Sequence, residues 1–125
     1  MDENKLSNLI IGLALKVHKT LGPGLLESAY EKALVYELRN NGFEVECQKT
    51  IAIKYEDLII DEGFRADIIV NDLVILELKS VKSIDNVHLK QLLTYLKLSG
   101  KKLGLVINFN EIYLKTGIKR VVNGL

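Results

Sequence analysis

Two runs of the chain, Phe64-Arg65-Ala66-Asp67-Ile68-Ile69-Val70 and Leu73-Val74-Ile75-Leu76-Glu77-Leu78-Lys79, decide how the rest is read. Both are rich in β-branched and aliphatic residues, and Asn71-Asp72 between them is a turn signal, so together they predict two neighbouring strands. Leu73 to Leu76 is apolar at every position, which fits a central strand covered on both faces. Glu77 and Lys79 then interrupt the apolar run, and by strand alternation their side chains share a face. A charge at the end of a buried strand is expensive unless it is paired or holds a metal. Asp67 reaches the same end on the neighbouring strand.

Strand parity sets a condition on this grouping. Residues directly opposite in an antiparallel pair point to the same face. With Asn71-Asp72 as a two-residue loop, Asp67 would oppose Leu76 and Glu77 would project from the other face. A three-residue loop, Asn71-Asp72-Leu73, pairs Val70 with Val74 and brings Asp67 opposite Glu77. A bulge near Asp67 would restore the parity equally well. The expectation is therefore an odd loop or a bulge. Read from the residues alone, the pattern also suits an exposed Glu–Lys pair at a strand end, with Asp67 unrelated to it.

Outward from this hairpin, Leu6, Leu9, Ile10, Leu13, Val17 and Leu21 recur at helical spacing and predict a helix over 6–21, stopped by Gly22-Pro23-Gly24. A second helix is expected over 25–40, burying Leu26, Tyr30, Ala33, Leu34 and Leu38 and ending at Asn41-Gly42. Strands are expected at 43–48 and 50–55. A third helix over 85–99, capped by Asp85 or Ser83, carries Leu89, Leu92, Leu93 and Leu96 on one face. Strands at 103–108, 111–114 and 118–122 close the chain. Helices, antiparallel strands, a helix and further strands in that order predict an α/β architecture, a mixed central sheet flanked by helices, in a single domain over residues 1–125.

The bulk numbers agree with a globular domain: 125 residues, 48% hydrophobic and 26% charged. One cysteine, Cys47, permits no internal disulfide, which fits a cytoplasmic protein, and it reads as a small buried side chain. The apolar stretch 9–15 follows Asp2 and Glu3 instead of a basic leader and is too short for a bilayer, so neither export nor membrane insertion is expected. Net charge is +1 but unevenly spread. Residues 1–78 hold 8 Lys/Arg against 14 Asp/Glu, a balance of −6, while residues 79–125 hold 9 against 2, a balance of +7. The second half, with Lys82, Lys90, Lys97, Lys115, Lys119 and Arg120, is the expected phosphate-binding surface.

The chain resembles the PD-(D/E)XK nuclease superfamily, and within it the small proteins marked by a Gly-x-x-Glu-x-x-Tyr motif. That motif stands here as Gly24-Leu25-Leu26-Glu27-Ser28-Ala29-Tyr30. The resemblance continues through Arg65-Ala66-Asp67, Glu77-Leu78-Lys79, Gln91-Leu92-Leu93-Thr94-Tyr95-Leu96 and Gly104-Leu105-Val106-Ile107-Asn108-Phe109. Ala66 stands where the superfamily name has proline. The resemblance implies Asp67 and Glu77 as metal-binding carboxylates, with the Leu78 carbonyl as a third ligand, and Lys79 as the catalytic lysine. It implies that Gln91 and Tyr95 form the Gln-x-x-x-Tyr pair of RecB-like nucleases, and that Glu27 contacts the metal directly or through water. Tyr30 is expected in the core, and His88 on an ordinary helix flank. The implied cofactor is Mg2+ (or Mn2+) and the implied partner is nucleic acid, DNA first. The activity implied is phosphodiester hydrolysis with little sequence preference. An inactive nuclease-fold module that binds nucleic acid or a protein is the alternative, and a homodimer or a larger repair or defence assembly stays open.

Overall fold

The computed structural model describes all 125 residues. Helix α1 (Glu3–Leu21) is capped by Asp2, whose carboxylate accepts the Lys5 N–H at 2.8 Å. It buries Leu6, Ile10, Ala14 and Val17, while Leu9 and Leu21, expected inside, lie at the margin of that stripe and are exposed. Helix α2 (Glu27–Asn40) starts two residues later than predicted, because Leu25 and Leu26 belong to the turn before it. Leu26 has extended backbone there and is exposed.

Strands β1 (Val45–Tyr55) and β2 (Leu58–Val70) form one long antiparallel ribbon, so the two strands expected at 43–48 and 50–55 are a single strand. β3 (Val74–Lys79) follows, then α3 (Asn86–Ser99), β4 (Leu103–Asn108) and β5 (Ile118–Val122). The segment expected as a strand at 111–114 instead bends into a 3-10 turn, Leu114–Gly117. Its alternating Ile112 and Leu114 imitate a strand, but only Leu114 is buried. The five strands lie in the order β1-β2-β3-β4-β5, antiparallel except for the parallel β3–β4 pair, which gives the mixed α/β sheet expected.

Two apolar layers cover the sheet. On one face α1 and α2 pack over Ile68, Val70, Val74, Leu76, Leu78, Leu103, Leu105 and Ile107. On the other, Leu92 and Leu96 of α3 pack over Phe64, Ala66, Ile69, Ile75 and Val106. Burying each such aliphatic side chain contributes about 1.5–3 kcal/mol. α3 comes close to β4 because Gly104 has no side chain there: a Cβ would meet the Leu92 side chain at 2.8 Å.

The β2–β3 turn has the odd length that the site requires. Val70 pairs with Val74, Ile69 with Ile75 and Ile68 with Leu76. The Leu73 N–H donates to the Val70 carbonyl at 3.0 Å, and Asn71 and Asp72 take φ of 51° and 54°, so a tight left-handed turn is followed by one extra residue. The ladder ends at Ile68 and Leu76. Beyond it, β2 continues with β1 and β3 continues with β4, so the sheet forks where Asp67 and Glu77 stand.

Candidate active site

Glu77 is the most unusual group in the chain. Strand alternation from Ile75 aims it at the α3 face, and it is only 8% exposed. Its Oε1 is buried without a hydrogen-bond partner. Burial first, then the negative charge of Asp67 beside it, push its pKa up to about 9, with Lys79 pulling the other way. Two carboxyls forced together in low dielectric share a proton unless a cation joins them.

Asp67 is held at the fork by the backbone. Its Oδ2 accepts the Leu78 N–H at 2.9 Å, so a side chain takes the place of the strand partner that Leu78 lacks on that side. A residue's N–H and C=O point to the same side of a strand, so the Leu78 carbonyl faces the same gap. The outcome is two carboxylates on one side of the sheet with a main-chain oxygen beside them. An orphaned buried carboxylate oxygen, a second carboxylate beside it and a carbonyl that faces the same gap form a donor set suited to a hard divalent cation.

The other predicted residues divide. Lys79 is half-buried, two residues beyond Glu77 on the same face. Tyr95 reaches the site from α3: burial and then the charges of Glu77 and Asp67 raise its pKa, and its ring stacks on Phe64 at 4.1 Å. Gln91 lies one turn earlier on α3 and is exposed. Glu27 is exposed at the first position of α2, and no group of three or more His, Cys, Asp or Glu side chains is gathered to hold a metal. Glu27 is therefore not brought into one cluster with Asp67 and Glu77. His88 accepts the Asp85 N–H through Nδ1 at 3.1 Å and completes a capping box, which explains it as part of the helix start.

The motif around Glu27 has a structural logic of its own. The Tyr30 hydroxyl donates to the Gly22 carbonyl at 2.6 Å and accepts the Leu25 N–H at 3.0 Å. Its ring, fully buried as expected, stacks on Phe109 at 4.5 Å. Ser80, directly after Lys79, donates to the Leu25 carbonyl at 2.7 Å. Gly24, with φ of 95°, lets the chain turn between these anchors. The Gly-x-x-Glu-x-x-Tyr segment is thus fastened to the residue that follows the lysine.

Three neighbours were given no firm site role by the sequence. Buried Asn108 accepts the Val81 N–H at 3.1 Å and donates to the Val81 carbonyl at 2.9 Å, fixing the chain just after Lys79. Gln48 reaches Asp67 from β1, and its amide stands between that carboxylate and the one of Glu31 on α2. A strand-bound Gln carries no periodic signal, and only the spacing of Glu27 and Glu31, four apart on one helix face, hinted at the second acid. Cys47, expected inside, is exposed on β1, and its thiol is raised above the ordinary value, chiefly by partial desolvation, so it is not activated.

The basic residues are spread more widely than one rim. Lys82, Lys90, Lys97, Lys115, Lys119 and Arg120 are all exposed. Lys119 pairs with Val106, which pairs with Glu77, so these three residues stand in one row across the sheet on the α3 face. Arg120, its neighbour on β5, points the other way and bonds to Asn4 of α1. No helix is long and apolar enough to cross a membrane.

No curated protein and no solved structure matches the chain. A family model does, over residues 4–121, which takes in every element from α1 to β5 and both strands of the fork. The chain belongs to the PD-(D/E)XK nuclease superfamily, and its mixed five-stranded sheet with helices on both faces agrees with that fold.

Proposed function

We propose that the protein is a Mg2+- or Mn2+-dependent nuclease that hydrolyses DNA phosphodiester bonds with little sequence preference, close to the Gly-x-x-Glu-x-x-Tyr group of its superfamily. The observation that carries this reading is the buried Glu77 carboxylate, with one oxygen unpartnered, against Asp67 and two residues from Lys79. Nucleases of this superfamily generally use divalent metal ions.

Asp67, Glu77 and the Leu78 carbonyl would hold the ion. When bound, a divalent cation polarises the phosphoryl oxygens and lowers the pKa of water. Lys79 orients the attacking water and offsets charge that builds on the phosphate as the leaving P–O bond breaks. Tyr95, fixed by its stack on Phe64, holds its hydroxyl toward the carboxylates, and Gln91 one turn away faces the incoming strand. Glu27 acts at longer range, through water, from the start of α2. Lys90 and Lys97 on α3, with Lys119 on β5, supply phosphate contacts that carry no sequence information.

Incubating the purified chain with circular and linear DNA in Mg2+ or Mn2+, with Glu77→Ala as control, tests the proposal. Cleavage by the parent and not by the variant is expected. DNA binding without cleavage in either metal would instead assign a binding module.

A further inference from the structure

Gln48 sits at an irregularity shared by two strands. Val45 packs on the α1/α2 face and Ile51 on the α3 face, although six residues of regular strand would leave them on one side. Their partners Val70 and Phe64 divide in the same way. On β2 the switch falls between Ala66, under α3, and Ile68, under α1 and α2, and so at Asp67. On β1 the register brackets the position opposite Asp67 between Cys47 and Lys49, and the residue there is Gln48, with φ of 49°. Left-handed backbone is unfavourable for a residue with a side chain. A glycine would remove that cost, so the side chain at this position has to be explained by what it touches.

It touches two carboxylates. Nε2 lies 2.5 Å from Glu31 Oε1 and 3.4 Å from Asp67 Oδ1. An amide nitrogen has two hydrogens, one for each acid, and it adds no positive charge that would compete with a cation for Asp67. With Leu78 N–H on Oδ2 and Gln48 on Oδ1, both Asp67 oxygens are oriented and each keeps a lone pair.

We propose that Gln48, steadied by Glu31, is a positioning residue that fixes the Asp67 carboxylate for metal binding, at the cost of a strained backbone on β1. The inference rests on the nuclease reading for its purpose, but its test does not depend on cleavage. Mn2+ binding to the 125-residue chain is measured by calorimetry, with thermal unfolding in EDTA and DNA cleavage alongside, for the parent, Gln48→Gly and Gln48→Lys. Loss of a side chain that orients a metal ligand typically costs roughly 10–100-fold in affinity.

Gln48→Gly is expected to unfold at the same or a higher temperature than the parent while its Mn2+ affinity falls by that factor, and to lose kcat with little change in KM for DNA. Gln48→Lys is expected to lose Mn2+ affinity by charge competition. Parent-like Mn2+ affinity in Gln48→Gly overturns the proposal, and so does a drop in its stability, which would make Gln48 a structural residue. A parent that binds Mn2+ without cutting DNA sinks the nuclease reading alone, because the Mn2+ isotherms still decide Gln48. A parent that binds no Mn2+ sinks both.

Discussion

At the turn end of the β2–β3 hairpin, Ile69, Val70, Val74 and Ile75 are buried, paired across the ladder and covered from both sides. At the other end the ladder stops, and Asp67 spends a side-chain oxygen on a backbone N–H while Glu77 is left with a buried oxygen that nothing satisfies. The first end minimises free energy and the second does not. Strain of this kind, with the rest of the fold holding it in place, is where function is expected. The comparison separates what a mutation should damage: stability at the turn end, chemistry at the fork.

The largest contrast should come from pairing those losses. Asp67→Asn, Glu77→Gln or Lys79→Ala is expected to lower DNA cleavage by at least about 10²–10³-fold, the scale for losing one preorganised charge-stabilising group. All three should remain folded. Ile75→Ala, two residues before Glu77, should cost about 2–5 kcal/mol of stability through its cavity while the folded fraction cleaves normally. Kinetics and thermal unfolding on the same preparations check both halves. If the fork variants unfold as badly as Ile75→Ala, the charges are structural and the comparison fails.

The next effect is a pH dependence confined to the fork. In EDTA, Glu77 titrates near 9 in the folded chain against its ordinary 4.5, held up by burial and by Asp67. Between these values the folded state binds more protons than the unfolded state, so stability falls as pH rises. The contribution of the protonated Glu77 is complete below about 4.5 and is lost progressively toward 9. The unfolding temperature of metal-free protein should therefore drop from pH 5 to pH 8, and Glu77→Gln should remove most of that slope. Added Mg2+ should stabilise the parent at pH 8 by mass action, because it binds the ionised pair of the folded state. A parent whose metal-free stability is flat over this range would place Glu77 in water and not at a buried fork.

Much of this was legible beforehand, for physical reasons. Four consecutive apolar residues before Glu77 marked a covered strand, and parity demanded an odd loop or a bulge if Asp67 and Glu77 were to meet. The bounds of β4 and β5 agree with those read from sequence because Gly100, Asn108 and Gly117 are unambiguous stops. The face switch was not legible. Val45, Ile51, Val70 and Phe64 all fit regular alternation in sequence, and only three-dimensional packing shows that the strands turn over between them. Asn108 and Gln48 were invisible for a related reason: each works through a single side chain on a partner far away in sequence, which leaves no period. Cys47 was misplaced because small apolar character predicts burial only on average, and β1 at that point leaves the thiol in an open groove beside Glu31, Val35 and Arg39 of α2.

The smallest effect lies at the turn itself, where local backbone and surface charge oppose each other. Asp72 takes φ of 54°, and its carboxylate accepts from Lys101 Nζ at 2.8 Å. That pair holds the Asp72 pKa below its ordinary value, but Asp72 is exposed and screened, so the bond contributes at most about 1 kcal/mol. Asp72→Ala keeps the left-handed backbone without the ion pair and should cost up to about 1 kcal/mol. Asp72→Gly also loses the pair but regains free backbone, and should fall within about 0.5 kcal/mol of the parent. Thermal unfolding at low and high salt resolves the two contributions, since only the ion pair is screened. Both variants should cleave DNA as the parent does, because the turn reaches the fork only through the register it sets. Equal losses for Ala and Gly would mean that the ion pair, and not the backbone, holds this turn, and that the odd loop is fixed by Lys101 on the far side of α3.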